Sequence, residues 1–385
     1  MPAVDQISQQ VRALLKDGDF PAGSRMPTTA EMARMWESDA KTVHVAMTRM
    51  VKEGLIYRKP GSGTFVREQS GEVTQVGIYY HAKSLSGPGS RYIQALQQAL
   101  GEELKAKGIK MSIWVDPRSG QDGETTWELL ETAARRREIQ GLIIPVSDRN
   151  HLRWLMKLPI PSAFHTGGDI PNKVDHDLNQ FAERSVRALA EKGCRSIGLI
   201  SAYAFNDGDT AHSNAFDRGK LFFETFVATA RALGLEILSG GMPPPSCEEN
   251  ESYDHFQERM GYDQFQALWL LDRKPEGIVV YPDTFVRGVL LGIAEVGARV
   301  PDDLKLVIHK NAGIDFFCPF AVDFLVSDER DVAKALVSQM ERQVVGQPVS
   351  PVSLSFQHIE SPARKPFVRP AASIAIADDM LCATT

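Results

Sequence analysis

The stretch PAGSRMPTTAEMARMWESDAKTVHVAMTRMVKEGLIYRKPGSGTFV, residues 21–66, decides how the N-terminal part of the chain folds. Thr28 followed by Glu31 is a capping box, which predicts that a short helix begins there. Apolar side chains recur at helical spacing over residues 40–53, which predicts another helix there. Asp39, immediately before it, is suited to be its N-cap. The apolar segments on either side of the closing glycine-containing turn predict a β-hairpin.

Upstream of this stretch, residues 4–17 also repeat apolar side chains at helical spacing, so we expect a further helix. Three helices and a hairpin, with a tight turn between the second and third helices, form a winged helix-turn-helix. From the pattern alone, a small helical domain without a DNA role is the alternative. Residues 1–68 contain ten Lys and Arg against eight Asp and Glu, whereas the whole chain has a net charge of −6. This modest contrast fits a basic head on an acidic body.

Several motifs in residues 21–66 resemble, in the same order, the DNA-binding domain of GntR-type regulators. The Pro-Gly and Pro-Ser motifs that open the family pattern have close counterparts here. They are followed by Thr42-Val43-His44-Val45-Ala46, by Glu53-Gly54-Leu55 and by Gly61-Ser62-Gly63-Thr64-Phe65-Val66. The resemblance runs over residues 4–67 and implies binding to double-stranded operator DNA.

The resemblance places the third helix in the major groove, with its N-terminal residues nearest the base edges. Lys41 and Thr42 can then hydrogen-bond to bases or phosphates. The hydroxyls of Thr28 and Thr29 are suited to contact a phosphate. The complete set of predicted DNA-contacting residues is Arg25, Thr28, Thr29, Lys41, Thr42, His44, Arg49, Arg58, Lys59, Gly61 and Ser62.

The chain departs from the GntR pattern on the third helix. Family members usually carry Ser-Arg where this chain has Asp39-Ala40, and commonly Arg where it has His44. Without these arginines the usual guanine contacts are weaker, so we expect an operator that differs from the family's common ones. Asp39 fits a capping role, and a solvated helix residue is the alternative for His44.

After a polar linker at residues 69–74, short apolar strands alternate with amphipathic helices up to residue 360. Expected strand–helix pairs are 76–80 with 92–107, 111–115 with 125–138, 162–165 with 179–192, 196–201 with 215–232 and 277–281 with 284–297, with further strands at 141–145 and 304–309. This alternation predicts parallel sheets covered by helices on both faces, in two lobes. Ligands of such folds bind at the carboxyl ends of the strands, here in the cleft between the lobes.

Residues 75–360 resemble the effector domain of LacI/GalR-type repressors, which share the periplasmic sugar-binding-protein fold. The resemblance is best at AEKGCRSIGLI (190–200), EGIVVYPD (276–283) and GARVPDDL (297–304). It implies a small-molecule effector, a sugar or sugar derivative, in the cleft. The expected fold class is therefore α/β: an N-terminal winged helix-turn-helix plus a two-lobed parallel α/β periplasmic-binding-protein-like domain.

The ligand positions of this family carry over unevenly. Asp283 stands in the family's Asn-Asp position, and Arg218 stands at its Arg-x-x-Gly-Phe arginine, although Leu221 replaces the glycine. The run 309–311, His-Lys-Asn, departs from the usual Gly-Phe-Asp, which leaves the ligand class open. The predicted ligand-contacting residues are Tyr80, His81, Tyr92, Ser147, Asp148, Arg218, Asp283 and Asn311. For each of them a solvated position on the cleft rim is the alternative.

Other classes of protein lack support in the sequence. No apolar run approaches the roughly 18 residues that span a bilayer, and the N-terminus has no apolar signal stretch, so we expect a cytoplasmic protein without membrane contact. The four cysteines are far apart and suggest neither disulfides nor a zinc site. No segment suggests a Schiff-base lysine fold, a P-loop or a compact metal-ligand set, so we expect no enzyme, cofactor or metal.

The resulting hypothesis is a homodimeric transcription repressor controlled by a small-molecule effector. Its expected parts are a DNA-binding domain at 1–68, the linker at 69–74, the effector domain at 75–360 and a tail at 361–385. A dimeric DNA-binding protein without a ligand is the alternative.

Overall fold

Three helices and a hairpin form the N-terminal unit, as the sequence predicts. They are α1 (Ala3–Asp17), α2 (Thr29–Met35), α3 (Ala40–Lys52), β1 (Ile56–Lys59) and β2 (Gly63–Val66). The computed structural model describes residues 3–17, 19–20, 23–53, 55–66, 73–85, 90–118, 125–146, 149–201, 215–241 and 251–362.

The head is held together by an apolar core between its three helices and the hairpin. The inner face of α3 supplies four fully buried side chains at helical spacing, Val43, Ala46, Met47 and Met50. Strand β1 runs antiparallel to β2, so the hairpin lies as a wing after α3. Burial of the inner face leaves the opposite face of α3 open to solvent.

The rest of the described chain builds two lobes, which we name by their sheets. The elements that follow the head, up to the first crossing between lobes, are β3 (Gln75–His81), α4 (Ala82–Leu85), α5 (Ser90–Ala106), β4 (Lys110–Asp116), α6 (Glu128–Arg135), β5 (Gly141–Ile144), α7 (Arg149–Leu155), β6 (Ser162–His165) and β7 (Lys173–His176). Next come α8 (Leu178–Glu191), β8 (Ser196–Ser201), α9 (Ala215–Ala232), β9 (Glu236–Leu238), α10 (Tyr253–Trp269), β10 (Gly277–Tyr281), α11 (Val286–Val296), β11 (Lys305–Asn311) and β12 (Val322–Ser327). The last elements are α12 (Glu329–Val344), β13 (Val352–Leu354) and β14 (Gln357–Ser361).

Each lobe is centred on a six-stranded sheet. The first lobe has the strand order β13-β7-β6-β5-β3-β4, and all its pairings are parallel. The second lobe has the order β14-β12-β11-β10-β8-β9, in which only β14 pairs antiparallel. The predicted architecture of two parallel α/β lobes behind a winged helix-turn-helix is confirmed.

The chain passes between the lobes three times, at 176–178, 327–329 and 354–357. Two of these crossovers are hydrogen-bonded to each other, because the backbone N–H of Asp177 donates to the carbonyl of Leu354 at 2.9 Å. After the second crossover α12 packs on α5, and both helices share an apolar core with the first sheet. Because the crossovers follow the ends of β7, β12 and β13, the carboxyl ends of the parallel strands in both sheets face a common cleft.

None of the described helices is both long enough and apolar enough to cross a membrane. Residues 363–385, most of the segment predicted as a tail, lie outside the described residues.

Candidate nucleic-acid interface and ligand cleft

Asp39 holds the start of α3 in place. Its carboxylate accepts a hydrogen bond from the backbone N–H of Thr42 at 2.8 Å and a second one from the Thr42 hydroxyl. These bonds lower the pKa of Asp39, and the bond from the Thr42 hydroxyl has the largest effect. The carboxylate therefore stays ionised beside the helix N-terminus. The predicted N-cap is present, and the Thr42 hydroxyl is occupied by it, which favours a capping role for Thr42 over a base contact.

The solvent-facing side of α3 is the surface offered to DNA. Lys41 and His44, both predicted contacts, are exposed on it. Val45 is 46% exposed beside them, although sequence reasoning did not select it. An apolar side chain at such a position suits a thymine methyl group. The sequence held a signal for it: Val45 is apolar but does not fall on the face of α3 that carries the buried residues.

Arg49 is occupied within the head. Its guanidinium lies 2.7 Å from the Asp5 carboxylate of α1 and 3.4 Å from that of Glu53. Arg12 of α1 also pairs with Glu53 at 2.6 Å. Because these ion pairs tie α3 to α1, they favour a structural role for Arg49 rather than the predicted phosphate contact.

The start of α2 is closed by its capping box. The backbone N–H of Thr28 donates to the Glu31 carboxylate at 2.7 Å, and the Thr28 hydroxyl donates to the same oxygen at 2.9 Å. The backbone hydrogen bond is the main cause that lowers the pKa of Glu31. Thr29, the first residue of α2, is half-buried.

The wing adds cationic side chains next to the open face of α3. Arg58 on β1 donates to the Thr48 hydroxyl of α3 at 3.0 Å, so the hairpin lies alongside this helix. Lys59 and Gly61 are exposed towards the tip, where the half-buried Ser62 closes the turn by donating its backbone N–H to the Lys59 carbonyl at 3.0 Å. This arrangement gives one continuous surface of α3 and wing.

Arg25 packs directly on the wing at Gly63. A Cβ at Gly63 would lie 2.8 Å from the Arg25 Nε atom, and the Gly63 φ of +119° disfavours any other residue. We expect Gly63→Ala to destabilise the head by about 1–3 kcal/mol in thermal unfolding followed by circular dichroism. Gly61→Ala, with φ +71° but open space around the position, is the matched control and should cost less. Equal losses in the two variants would contradict the role of Arg25 in the wing.

In the second lobe, the carboxyl ends of three neighbouring strands carry a buried polar network. Asn311 donates to the Asp283 carboxylate at 2.9 Å, and the Ser327 hydroxyl donates to the Asn311 side-chain oxygen at 2.6 Å. His309 closes the ring: its Nδ1 accepts from the Asp283 backbone N–H at 3.2 Å, and its Nε2 contacts the Ser327 hydroxyl at 3.0 Å. Burial lowers the pKa of His309, against the raising effect of Asp283, so the ring stays neutral.

Across the cleft, the first lobe contributes Tyr92 from the start of α5. Its hydroxyl lies 2.9 Å from His165 Nε2, and the other ring nitrogen of His165 lies 2.9 Å from the Val174 carbonyl. Tyr92 and Asp283 line one pocket, with a cavity of about 90 Å³, together with Arg91, Asp254, Glu258, Thr284, Arg287, Ile314 and Phe316. The structure thus brings two predicted ligand residues from different lobes together. Asn311 lies behind Asp283 and holds it.

The other predicted ligand residues fall elsewhere. Tyr80 is fully buried in the apolar core of the first lobe, where it packs with side chains of α5 and α12, and its ligand contact stays a prediction. His81 is half-buried and directed towards β4, with its Nε2 at 2.5 Å from the carbonyl of Arg118. Three predicted residues cannot be placed. Ser147 and Asp148 lie outside the described residues, and so does the side chain of Arg218 on α9.

Glu329 is a buried carboxylate at the second crossover, only 3% exposed. Burial is the main cause that raises its pKa, and the charges of Asp328 and Asp283 add to it. A raised pKa in the folded state stabilises the fold at low pH, and this contribution is lost as the pH rises above the ordinary value of 4.5. Glu329→Gln should therefore unfold at a higher temperature than the wild type at pH 8, with the difference shrinking towards pH 5.

The control for this experiment is Glu102→Gln, which removes an exposed carboxylate from α5. It should leave the pH profile of thermal unfolding unchanged. Parallel profiles of Glu329→Gln and the wild type would show that Glu329 titrates as it does in the unfolded chain.

Fold and site together define a two-part protein: a winged helix-turn-helix head and a two-lobed domain with a polar cleft. Residues 3–66 match the model of the bacterial regulatory proteins of the gntR family, and residues 186–358 match that of the periplasmic binding protein-like domain. The chain therefore carries a GntR-type head and a periplasmic-binding-protein-like body, and this combination of a head and a body predicted from the sequence is confirmed.

Individual relatives match different parts of the chain. The HTH-type transcriptional repressor NagR of Bacillus subtilis is 31% identical over 28% of this chain and 45% of its own length. The HTH-type transcriptional repressor PurR of Glaesserella parasuis is 23% identical over 61% of this chain and 66% of its own length. The aligned region thus spans about half to two thirds of these relatives. The solved structure of the transcriptional regulator CelR in complex with cellobiose shares the fold, with a TM-score of 0.53 and 15% identity over 87% of this chain and 98% of its own.

Proposed function

We propose that the chain is a transcription repressor of the cytoplasm that binds palindromic operator DNA as a homodimer. Residues 1–68 form its DNA-binding domain, 69–74 the linker, 75–360 the effector domain and 361–385 the tail. The observation that carries the proposal is the joint presence, in one chain, of an open α3 face beside a cationic wing and of a cleft with a buried polar network.

The DNA contact rests on Lys41 and His44 for base readout and on Arg25, Arg58 and Lys59 for phosphates. This division follows from the contacts within the head. The Thr42 hydroxyl and the Arg49 guanidinium already have partners, whereas Lys41 and His44 are exposed at the N-terminal half of α3. Such a helix presents its first turns to the base edges.

Dimerisation is proposed along α5 of the first lobe and α11 of the second lobe, as the resemblance to LacI/GalR-type repressors implies. Two large apolar side chains support this choice. Leu291 on α11 and Phe317 in the segment after β11 are each 64% exposed. Apolar side chains that are this exposed gain free energy when a partner chain covers them.

The effector is proposed to be a sugar or sugar derivative that lies between Asp283 and Tyr92. A buried carboxylate that is held by Asn311 accepts hydrogen bonds from ligand hydroxyls, and an aromatic ring offers an apolar face to a sugar ring. A screen of sugars by thermal shift tests this: a ligand at 100 times its dissociation constant should add about 2.7 kcal/mol of stability. Destabilised or unchanged melting with every sugar would contradict the proposed ligand class.

The DNA and dimer proposals are tested together by selecting binding sites from random duplex DNA with the full chain. We expect an inverted repeat to be enriched, because two symmetric heads match two half-sites. A variant with Leu291→Asp and Phe317→Asp should sediment as a monomer and lose the selected site. Leu129→Asp, which charges an apolar side chain 60% exposed on α6, is the matched control and should remain a dimer. A selected sequence without twofold symmetry would contradict the proposal.

A further inference from the structure

The turn that follows β11 in the second lobe reaches a helix of the first lobe. A Cβ built on Gly313 would lie 2.9 Å from Cβ of Ala95 on α5 and 3.2 Å from the Glu329 Oε2 atom. The backbone N–H of Gly313 also donates to this oxygen at 2.9 Å. Ala95 is distant in sequence from all three crossovers, so this contact joins the lobes independently of the connecting segments. We call the contact between Gly313 and Ala95 the seam.

Both sides of the seam are firmly held within their own lobes. In the second lobe, the backbone N–H of Ala312 donates to the Ser327 carbonyl at 2.8 Å, and that of Ile314 donates to the Asn311 carbonyl at 3.1 Å. In the first lobe, α5 is anchored next to Ala95 by the fully buried Leu96. Movement of the seam therefore requires movement of one lobe against the other.

The seam is also connected to the cleft through very few bonds. Asn311, two residues before Gly313, donates its side-chain amide to Asp283 at 2.9 Å. Ile314, one residue after Gly313, lines the pocket that contains Asp283 and Tyr92. A displacement of Asp283 or of the pocket wall is thus transmitted to the seam through a single turn.

We propose that the seating of Gly313 on Ala95 is the closing contact between the lobes, and that glycine is needed there because any side chain holds the lobes apart. The proposal rests on the proposed function, and it adds that the cleft closes around the effector and that closure releases DNA. Carbon atoms pack best at roughly 3.5–4.0 Å, so a methyl group at 2.9 Å must be displaced. Since packed interfaces switch between discrete arrangements, a small clash shifts the balance between open and closed lobes. Gly313 is a positioning residue and contacts no ligand in this scheme.

A size exchange across the seam tests the proposal in the full chain without ligand. The variants are Gly313→Ala, Ala95→Gly and the double variant. Hydrogen exchange of the backbone in 311–316 is the first measurement, because it requires neither DNA nor effector. We expect Gly313→Ala to accelerate this exchange by about tenfold, and the double variant to return it close to the wild-type rate. Ala95→Gly alone should differ little from the wild type.

Operator affinity on the selected duplex is the second measurement. Gly313→Ala disfavours closure, so we expect it to bind the operator more tightly, within the range of about 5- to 150-fold that is typical of coupled sites, and the double variant to reverse the gain. Unchanged exchange in Gly313→Ala, or a double variant that behaves like Gly313→Ala, overturns the proposal, since the defect then lies in the turn itself. A rescue in hydrogen exchange without any operator binding would refute the proposed function and leave the seam in place.

Discussion

The variant Lys41→Ala with His44→Ala is expected to lose at least about 30-fold in affinity for the selected operator. Each good contact to a base edge contributes about 1–3 kcal/mol of discrimination, and both side chains lie on the exposed face of α3 near its start. Affinity for unrelated DNA should fall much less, because it depends on phosphate contacts that the variant retains at Arg25, Arg58 and Lys59. Fluorescence anisotropy at several salt concentrations measures both affinities.

The matched control is Lys52→Ala, which removes the same charge from the exposed C-terminal end of α3. It should reduce the two affinities by similar small factors. If Lys52→Ala weakened operator binding as strongly as the double variant, net charge rather than base readout would determine the affinity, and α3 would not be the recognition helix.

The head shows how far local sequence signals reach. The capping box at Thr28 and Glu31, the N-cap at Asp39 and the buried spacing of α3 predicted its elements nearly to the residue. These signals are local, since a cap bonds to residues three positions away. Local signals did not predict which polar side chains bond within the head and which remain available to contact DNA. Arg49 binds Asp5, 44 positions earlier, and only the packing of α1 on α3 brings the two together.

The body shows what a linear rhythm of strands and helices leaves undecided. The alternation predicted parallel lobes, and the strands at 162–165, 196–201 and 277–281 are found at these bounds. It did not predict that α12 returns to the first lobe after the second sheet is nearly complete. Helix α12 is amphipathic like its neighbours, so its pattern does not say which sheet it covers. Membership in a sheet is decided by tertiary packing, not by periodicity.

The cleft was predicted in part for the same reason. Asp283 and Tyr92 follow or flank the ends of strands, and the topology of parallel sheets brings such ends together. Tyr80 also ends an apolar strand, but strand β3 is covered on both faces, so the alternation that exposes every second side chain does not apply. Nothing in the sequence indicated that Glu329, next to the seam, is a buried carboxylate.

Asp283→Asn is expected to weaken binding of the sugar that gives the largest thermal shift by about 10- to 150-fold. A hydrogen bond to a charged group contributes about 1.5–3 kcal/mol, and the charge of Asp283 is lost in this variant. Asparagine keeps an oxygen that accepts from Asn311, so the network of Asn311, Ser327 and His309 is preserved. Operator affinity without ligand should therefore stay within about twofold of the wild type. Position 283 is far from the head, and free-energy changes at distant sites are usually independent.

Calorimetry with the sugar and anisotropy with the operator, on the same preparations, separate the roles that Asp283 can have. Asp315→Asn is the control, because it removes a carboxylate from an almost fully exposed position that pairs only with the Lys310 ammonium, at 3.3 Å, among the contacts of the described residues. Equal sugar affinity in Asp283→Asn and the wild type would remove Asp283 from the ligand site. Loss of operator binding in Asp283→Asn but not in Asp315→Asn would instead mean that Asp283 supports the fold of the second lobe. Loss of sugar binding alone, with the operator still bound but no longer released by the sugar, is the result that makes Asp283 the link between the cleft and the DNA-binding head.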